Sequence, residues 1–275
     1  MRTRILSPKE IREFQKTIWK YYKKHGRDLP WCRTQNPYRI VVSEIMLQQT
    51  QVSRVLDKYK EFLRAFPSFK TLAQAKQSDV LRVWQGLGYN RRALALQRIA
   101  VKVVEEYKEK LPQDPKVLKT FPGIGEASAS SIVVFAFNKS EIFIETNIRS
   151  VFIHFFFKNK KNVYDKDIFP LIEQTLDTKN PRKWYFALMD YGVMLKKGEN
   201  PSRKSVHHIK QKPFKESDRY IRGYIIKLLI QNKKQTLFQL QKAVHRDKER
   251  IEKCLHDLNQ EGFLKKSKNV YSLVG

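Results

Sequence analysis

Phe121-Pro122-Gly123-Ile124-Gly125 stands between two helical patterns, with Asp114 to Lys119 before it and the apolar face of Ala127 to Phe137 after it. Two glycines flanking an isoleucine let the backbone turn sharply and bring bare N–H groups to the start of the next helix. There the amides and the helix dipole hold a phosphate. That is the sequence form of a helix-hairpin-helix. Pro-Gly-x-Gly between helices is also an ordinary tight turn, so the rest of the chain has to decide. Apolar positions spaced by three and four predict further helices in Ser43 to Phe66, Asp79 to Trp84, Arg92 to Tyr107 and Trp184 to Leu195. Strands are scarce before the last residues, and no internal repeat of fixed period is present. The fold class expected is all-α.

The charge narrows the partner. Among 275 residues, 55 Lys and Arg face 27 Asp and Glu, a net charge of +28, and such an excess points to a polyanion. The basic residues are spread along the whole length. A membrane-surface segment would instead concentrate them on one amphipathic helix, so nucleic acid is favoured. No run of about 18 apolar residues is present to cross a membrane. MRTRILSPKEIREF lacks the apolar core of a secretory signal. Cys32 and Cys254 are too few for a disulfide framework or a four-ligand metal site. These features lead us to expect a reducing, cytoplasmic setting.

Two structural units are expected from the length. Lys196 to Lys215 holds seven basic residues and one acidic, with prolines at 201 and 213, and reads as a basic connector. Beyond it, Asp218 to Ile230, Thr236 to Val244 and Lys248 to Gly262 predict three helices. Phe263-Leu264 and Val270 to Leu273 predict two short strands around the turn Lys266 to Asn269. Three helices and a hairpin are the winged form of a helix-turn-helix, with Lys248 to Leu258 in the recognition position. A helical bundle with a frayed tail is the alternative.

Three further stretches carry chemistry. In Val42-Ser43-Glu44-Ile45-Met46-Leu47-Gln48-Gln49-Thr50-Gln51, Glu44 is expected at a helix start among apolar or uncharged residues. Desolvation there raises a carboxylate's pKa and equips it to deliver a proton near neutral pH; a glutamate favoured by the helix dipole is the plainer reading. The neutral amides Gln48, Gln49 and Gln51 suit base edges. Gly86 and Gly88 make a loop exposing Tyr89, an aromatic able to wedge between bases or to cover a core. In Ile144-Glu145-Thr146-Asn147-Ile148-Arg149 a carboxylate again precedes a helix, as a cap would.

Together these stretches resemble the helix-hairpin-helix (HhH-GPD) DNA glycosylase superfamily, most closely its MutY-like adenine DNA glycosylases. The resemblance runs from about residue 9 to 205. It rests on Asp28-Leu29-Pro30-Trp31, Asn36-Pro37-Tyr38, Ser43 to Val52, Gly86-Leu87-Gly88-Tyr89, the hairpin and Met189-Asp190-Tyr191-Gly192. It implies a two-lobed helical fold over 1–205, with a six-helix lobe at about 29–140 and a second lobe from 1–28 plus 141–205. A linker at 206–216 and a winged-helix-like domain at 217–275 follow. It implies Glu44 as the acid that protonates the departing base, Glu145 as the second carboxylate facing the sugar cation and Asn147 as a placer of water. Gln48, Gln49, Tyr89, Arg91, Lys204, Gly123, Ile124 and Gly125 become DNA contacts, and Trp31 and Ala127 border the base pocket.

The departures shape the expectations. Glu145 stands where the family keeps an aspartate, and an extra methylene moves the charge by roughly 1 Å. Ala127 replaces the lysine of lyase-competent relatives, which implies hydrolysis without strand cleavage. Lys196 to Lys215, where most relatives hold an iron–sulfur cluster, contains no cysteine, so no cofactor is expected beyond a monovalent cation that the resemblance implies at the hairpin. His207 and His208 read as solvated or phosphate-facing rather than as metal ligands. The implied partner is double-stranded DNA with a mispaired or damaged base, bound by a nucleoid-associated monomer. Removal of adenine is the first reading and removal of mispaired thymine or uracil the second. A non-catalytic DNA-binding regulator is the reading from another class.

Overall fold

The computed structural model describes residues 4–208, 213–214 and 217–274. Among them, fourteen α-helices and a three-stranded sheet account for nearly all regular structure. The linker expected at 206–216 lies largely outside the described residues. The chain divides into two compact units. The first is Met1–Glu44, Pro112–Thr120 and Ile124–Lys210, and the second is Ile45–Leu111, Phe121–Gly123 and Gln211–Gly275. This differs from the expected division: the C-terminal segment groups with the middle helices rather than standing as a separate domain. Side-chain pairing across the sequence, described below, is the physical reason.

The first unit begins with α1 (Pro8–His25), opened by a capping box in which Ser7 and Glu10 satisfy each other's backbone amides. Its core gathers around Phe14, whose ring meets Phe152 at 5.4 Å, Phe155 at 5.0 Å and Trp184 at 5.9 Å. These come from α9 (Thr146–Phe156) and α11 (Pro181–Leu195). Asp190 of α11 is buried and takes both the backbone N–H and the Nε of Arg27, at 2.7 and 2.6 Å, fixing the exit of α1. The Met189-Asp190-Tyr191-Gly192 motif is thus partly an anchor. Pro201–Lys204 forms a 3-10 turn, and Pro201, Ser202 and Ser205 are buried, so the start of the expected connector is packed structure.

The second unit corrects the helix expected over Ser43 to Phe66. Helix α2 (Pro37–Leu47) ends, and α3 (Val52–Ala65) begins only after a break at 48–51, where Gln49 adopts φ 53°. The cause is Arg92, buried at the start of α6 (Arg91–Tyr107). Its guanidinium donates to the carbonyls of Ile45 (3.0 Å), Met46 (2.8 Å), Gln48 and Gly88 (3.1 Å), and to the Thr50 hydroxyl (2.9 Å). The carbonyls of Ile45, Met46 and Gln48 are ones that the end of α2 leaves without helical partners, and that of Gly88 belongs to the loop before α6.

The C-terminal elements run α12 (Asp218–Asn232), β1 (Lys234–Thr236), α13 (Leu237–Val244), α14 (Lys248–Gln260), β2 (Leu264–Ser267) and β3 (Val270–Leu273), the order of a winged helix. The sheet is antiparallel in the order β1-β3-β2, with Lys234 and Lys265 both opposite Ser272. Strand β1 was not expected, being three residues without alternation, and β2 starts one residue later than predicted. Within the second unit, α12 packs on α5 (Gln77–Trp84). Gln77 donates to the Gly262 carbonyl at 2.8 Å, and Glu261 receives both Arg91 and Arg222.

Candidate active site

Glu44 sits in the last turns of α2, not at a helix start. Asn36 accepts the Arg39 amide at 3.1 Å and Pro37 opens the helix, well before the carboxylate. The dipole at this end does not favour an anion, so the plainer reading of Glu44 fails. Its neighbours Ile40, Val41, Val42, Ser43, Ile45 and Met46 are all buried. Burial pushes the Glu44 pKa up to about 7; the hydrogen bond from Ser131 works against that rise and the charge of Glu145 adds to it.

Ser131, on α8 (Glu126–Phe137), donates to Glu44 Oε2 and also lies 3.1 Å from the Ser128 carbonyl. A hydroxyl has one proton, so it serves one acceptor at a time. With Glu44 ionised the proton turns to the carboxylate. With Glu44 protonated, the acid can donate to Ser131 Oγ while Ser131 donates to Ser128. The serine therefore supports both states of the acid. The sequence reading missed it, and only the run Ser128-Ala129-Ser130-Ser131 in an otherwise apolar helix hinted at it.

Glu145 is the N-cap of α9: one carboxylate oxygen accepts the amides of Asn147 (2.8 Å) and Ile148 (2.9 Å), and the other accepts Asn147 Nδ2 (3.0 Å). It is a cap whose charge also reaches Glu44. Asn147 is held from behind by Gly192 of α11, where a Cβ would fall 2.3 Å from the Asn147 carbonyl oxygen. The first unit thus brings together Glu44, Glu145, Asn147 and the unforeseen Ser131.

The remaining expected residues scatter in role. Gln48 donates to the Gly123 carbonyl at 3.1 Å, bracing the hairpin. Gly123 has φ +74° and a Cβ there would lie 2.9 Å from that of Ala95, so glycine is required twice over. Gly125 is extended, and it opens α8 without a side-chain cap. Ile124 is buried. Tyr89, at φ 48°, has the guanidinium carbons of Arg92 and Arg219 each 5.3 Å from its ring centroid, and its hydroxyl accepts from Arg219. Arg91 is engaged by Glu261 and Lys204 donates to the Lys158 carbonyl at 2.8 Å. Trp31 is core, its carbonyl taken by Arg182 at 3.2 Å, whereas Ala127 is exposed on the first turn of α8. His207 lies 3.9 Å from Asp165. No group of three His, Cys, Asp or Glu suited to a metal occurs among the described residues. No described helix is long and apolar enough to cross a membrane.

Comparison with known proteins agrees with this geometry. The family described as HhH-GPD superfamily base excision DNA repair protein matches residues 42–172. An adenine DNA glycosylase of Buchnera aphidicola is 34% identical over 68% of this chain and 54% of its own. A thymine/uracil-DNA glycosylase of Pyrobaculum aerophilum is 29% identical over 69% of this chain and 85% of its own. The chain spans about half the length of the adenine glycosylases it matches. In fold it is similar to a thermostable thymine-DNA glycosylase, with a TM-score of 0.60 at 24% identity over 68% of this chain and 87% of that one. Helical architecture, hairpin and matched segment agree: the chain belongs to the HhH-GPD superfamily of base excision DNA repair proteins.

Proposed function

We propose that the chain is a DNA glycosylase of base excision repair that hydrolyses the bond between a flipped, mispaired adenine and its sugar. The observation that carries this reading is Glu44, a carboxyl with its pKa lifted to about 7 and coupled to a second carboxylate, Glu145. Glu44 gives its proton to the departing base, and the C1′–N bond breaks with its electron pair going to the base. Glu145 faces the resulting sugar cation and lowers its energy. Water then adds to C1′ and returns a proton to Glu44. Asn147, beside Glu145, is placed to orient that water. The base must leave the stack for any of this, and the +28 charge supplies the grip on the duplex.

The same reading has the chain act as a monomer without strand cleavage, since Ala127 offers no amine for a Schiff base. It also works without an iron–sulfur cluster. Four thiolates are needed, and the two cysteines lie one in each unit. Removal of thymine or uracil is a second reading, favoured by the Pyrobaculum relative matched over most of its length.

Incubation with duplexes carrying single mispairs, followed by alkali, tests the proposal. Abasic sites at adenine are expected. Release of pyrimidine alone would favour the second reading, and no release from any mispair together with tight binding to one sequence would favour a regulator. Ser131→Ala removes the hydrogen bond that lowers the Glu44 pKa. The alkaline limb of the rate–pH profile should therefore move to higher pH, and a limb moving downward would contradict the assignment of Glu44.

A further inference from the structure

Lys196 closes the last turn of α11, four residues beyond Gly192, so both lie on one helix face. Both meet Asn147: Gly192 abuts its backbone carbonyl, and Lys196 Nζ donates to its Oδ1 at 2.7 Å. An ammonium only donates and a carboxylate only accepts. With Lys196 on one side and Glu145 on the other, the Asn147 amide has a single orientation, its oxygen to the lysine and its Nδ2 to Glu145 Oε2 at 3.0 Å. One Nδ2 hydrogen is thereby spent, and the direction of the second follows.

We propose that Lys196 is a positioning residue for base excision, acting through Asn147 to fix the amide beside Glu145 and so the donor offered to the attacking water. This rests on the glycosylase reading above. Lys196 heads the stretch that reads as a basic connector in the sequence, yet burial pulls its pKa down, opposed by the Glu145 carboxylate and assisted by the Arg149 guanidinium. That balance agrees with an ammonium drawn into the site. Without Lys196, the amide can rotate and present its oxygen to the carboxylate. A misplaced water costs on the order of 10²-fold when geometry slips by 1 Å.

The test is a double-mutant cycle in the full chain, read as single-turnover base release on a mispaired duplex that the parent processes. Lys196→Met is expected to slow release by about 10- to 100-fold, with DNA affinity and thermal unfolding little changed. Lys196→Met on top of Asn147→Ala should add almost nothing, because the lysine works through the asparagine. Undiminished release by Lys196→Met, or effects that multiply in the double variant, would overturn the inference. So would a borohydride-trapped covalent complex that vanishes in Lys196→Met, since the lysine would then be a nucleophile. If the parent releases no base from any mispair, the glycosylase reading itself fails; an active parent with an unaffected variant refutes the lysine role alone.

Discussion

Glu44→Gln should release base about 10²- to 10⁴-fold more slowly than the parent while binding a mispaired duplex with similar affinity, because general acid catalysis contributes about that much. The amide preserves shape and can still accept from Ser131, but it has no proton to give. In the parent, the rate should be level below pH 7 and fall about tenfold per unit above it as the acid ionises. The same shift has a stability consequence with a definite sign. The folded chain keeps the Glu44 proton up to about pH 7, whereas the unfolded chain releases it near 4.5. The stabilisation is complete below the unfolded value and is lost as pH rises through the folded one. Glu44→Gln escapes that loss, so at pH 8 it should melt above the parent. Retained base release, or a variant that melts below the parent at pH 8, would contradict the buried-acid description.

Arg92→Met should lower stability by about 3 to 5 kcal/mol, several acceptors losing their donor at once. The guanidinium holds carbonyls at the end of α2 and in the glycine loop, and its charge lies 5.4 Å from the Trp84 ring centroid and 5.3 Å from that of Tyr89. Burial is the main reason its pKa falls to about 10, so it stays charged at neutral pH. Denaturant unfolding measures the effect, and a loss under about 1 kcal/mol would show that water replaces the donor. On the proposed reading, in which Gln49 contacts DNA, affinity for the duplex should also weaken, because the 48–51 break that sets the Gln49 backbone is held by the same cation.

Local signals made much of the fold legible. The hairpin, the ends of α5 and α6 and the winged order were written in short-range pattern, and Glu44 stood out as a carboxylate among apolar residues. What escaped depends on partners far along the chain. The interruption at 48–51 cannot be seen in 43–66, because the donor that stops the helix is Arg92. Ser131 and Lys196 read as a small helical residue and a base of the connector until their acceptors, Glu44 and Asn147, are seen beside them. Glu145 caps α9 as a short-range reading expects, and its charge acts on Glu44, about a hundred positions earlier, which only the folded chain reveals.

The second unit joins residues that translation produces far apart in time. Gln77 meets Gly262 across 185 positions, Arg91 meets Glu261 across 170, and Tyr89 meets Arg219 across 130. At about 5–20 residues per second, the middle helices emerge from the ribosome roughly 10 to 30 s before those counterparts. A nascent chain halted at residue 210 should therefore leave the face of α5 that receives α12 open to chaperones, and it closes only once the C-terminal helices are made.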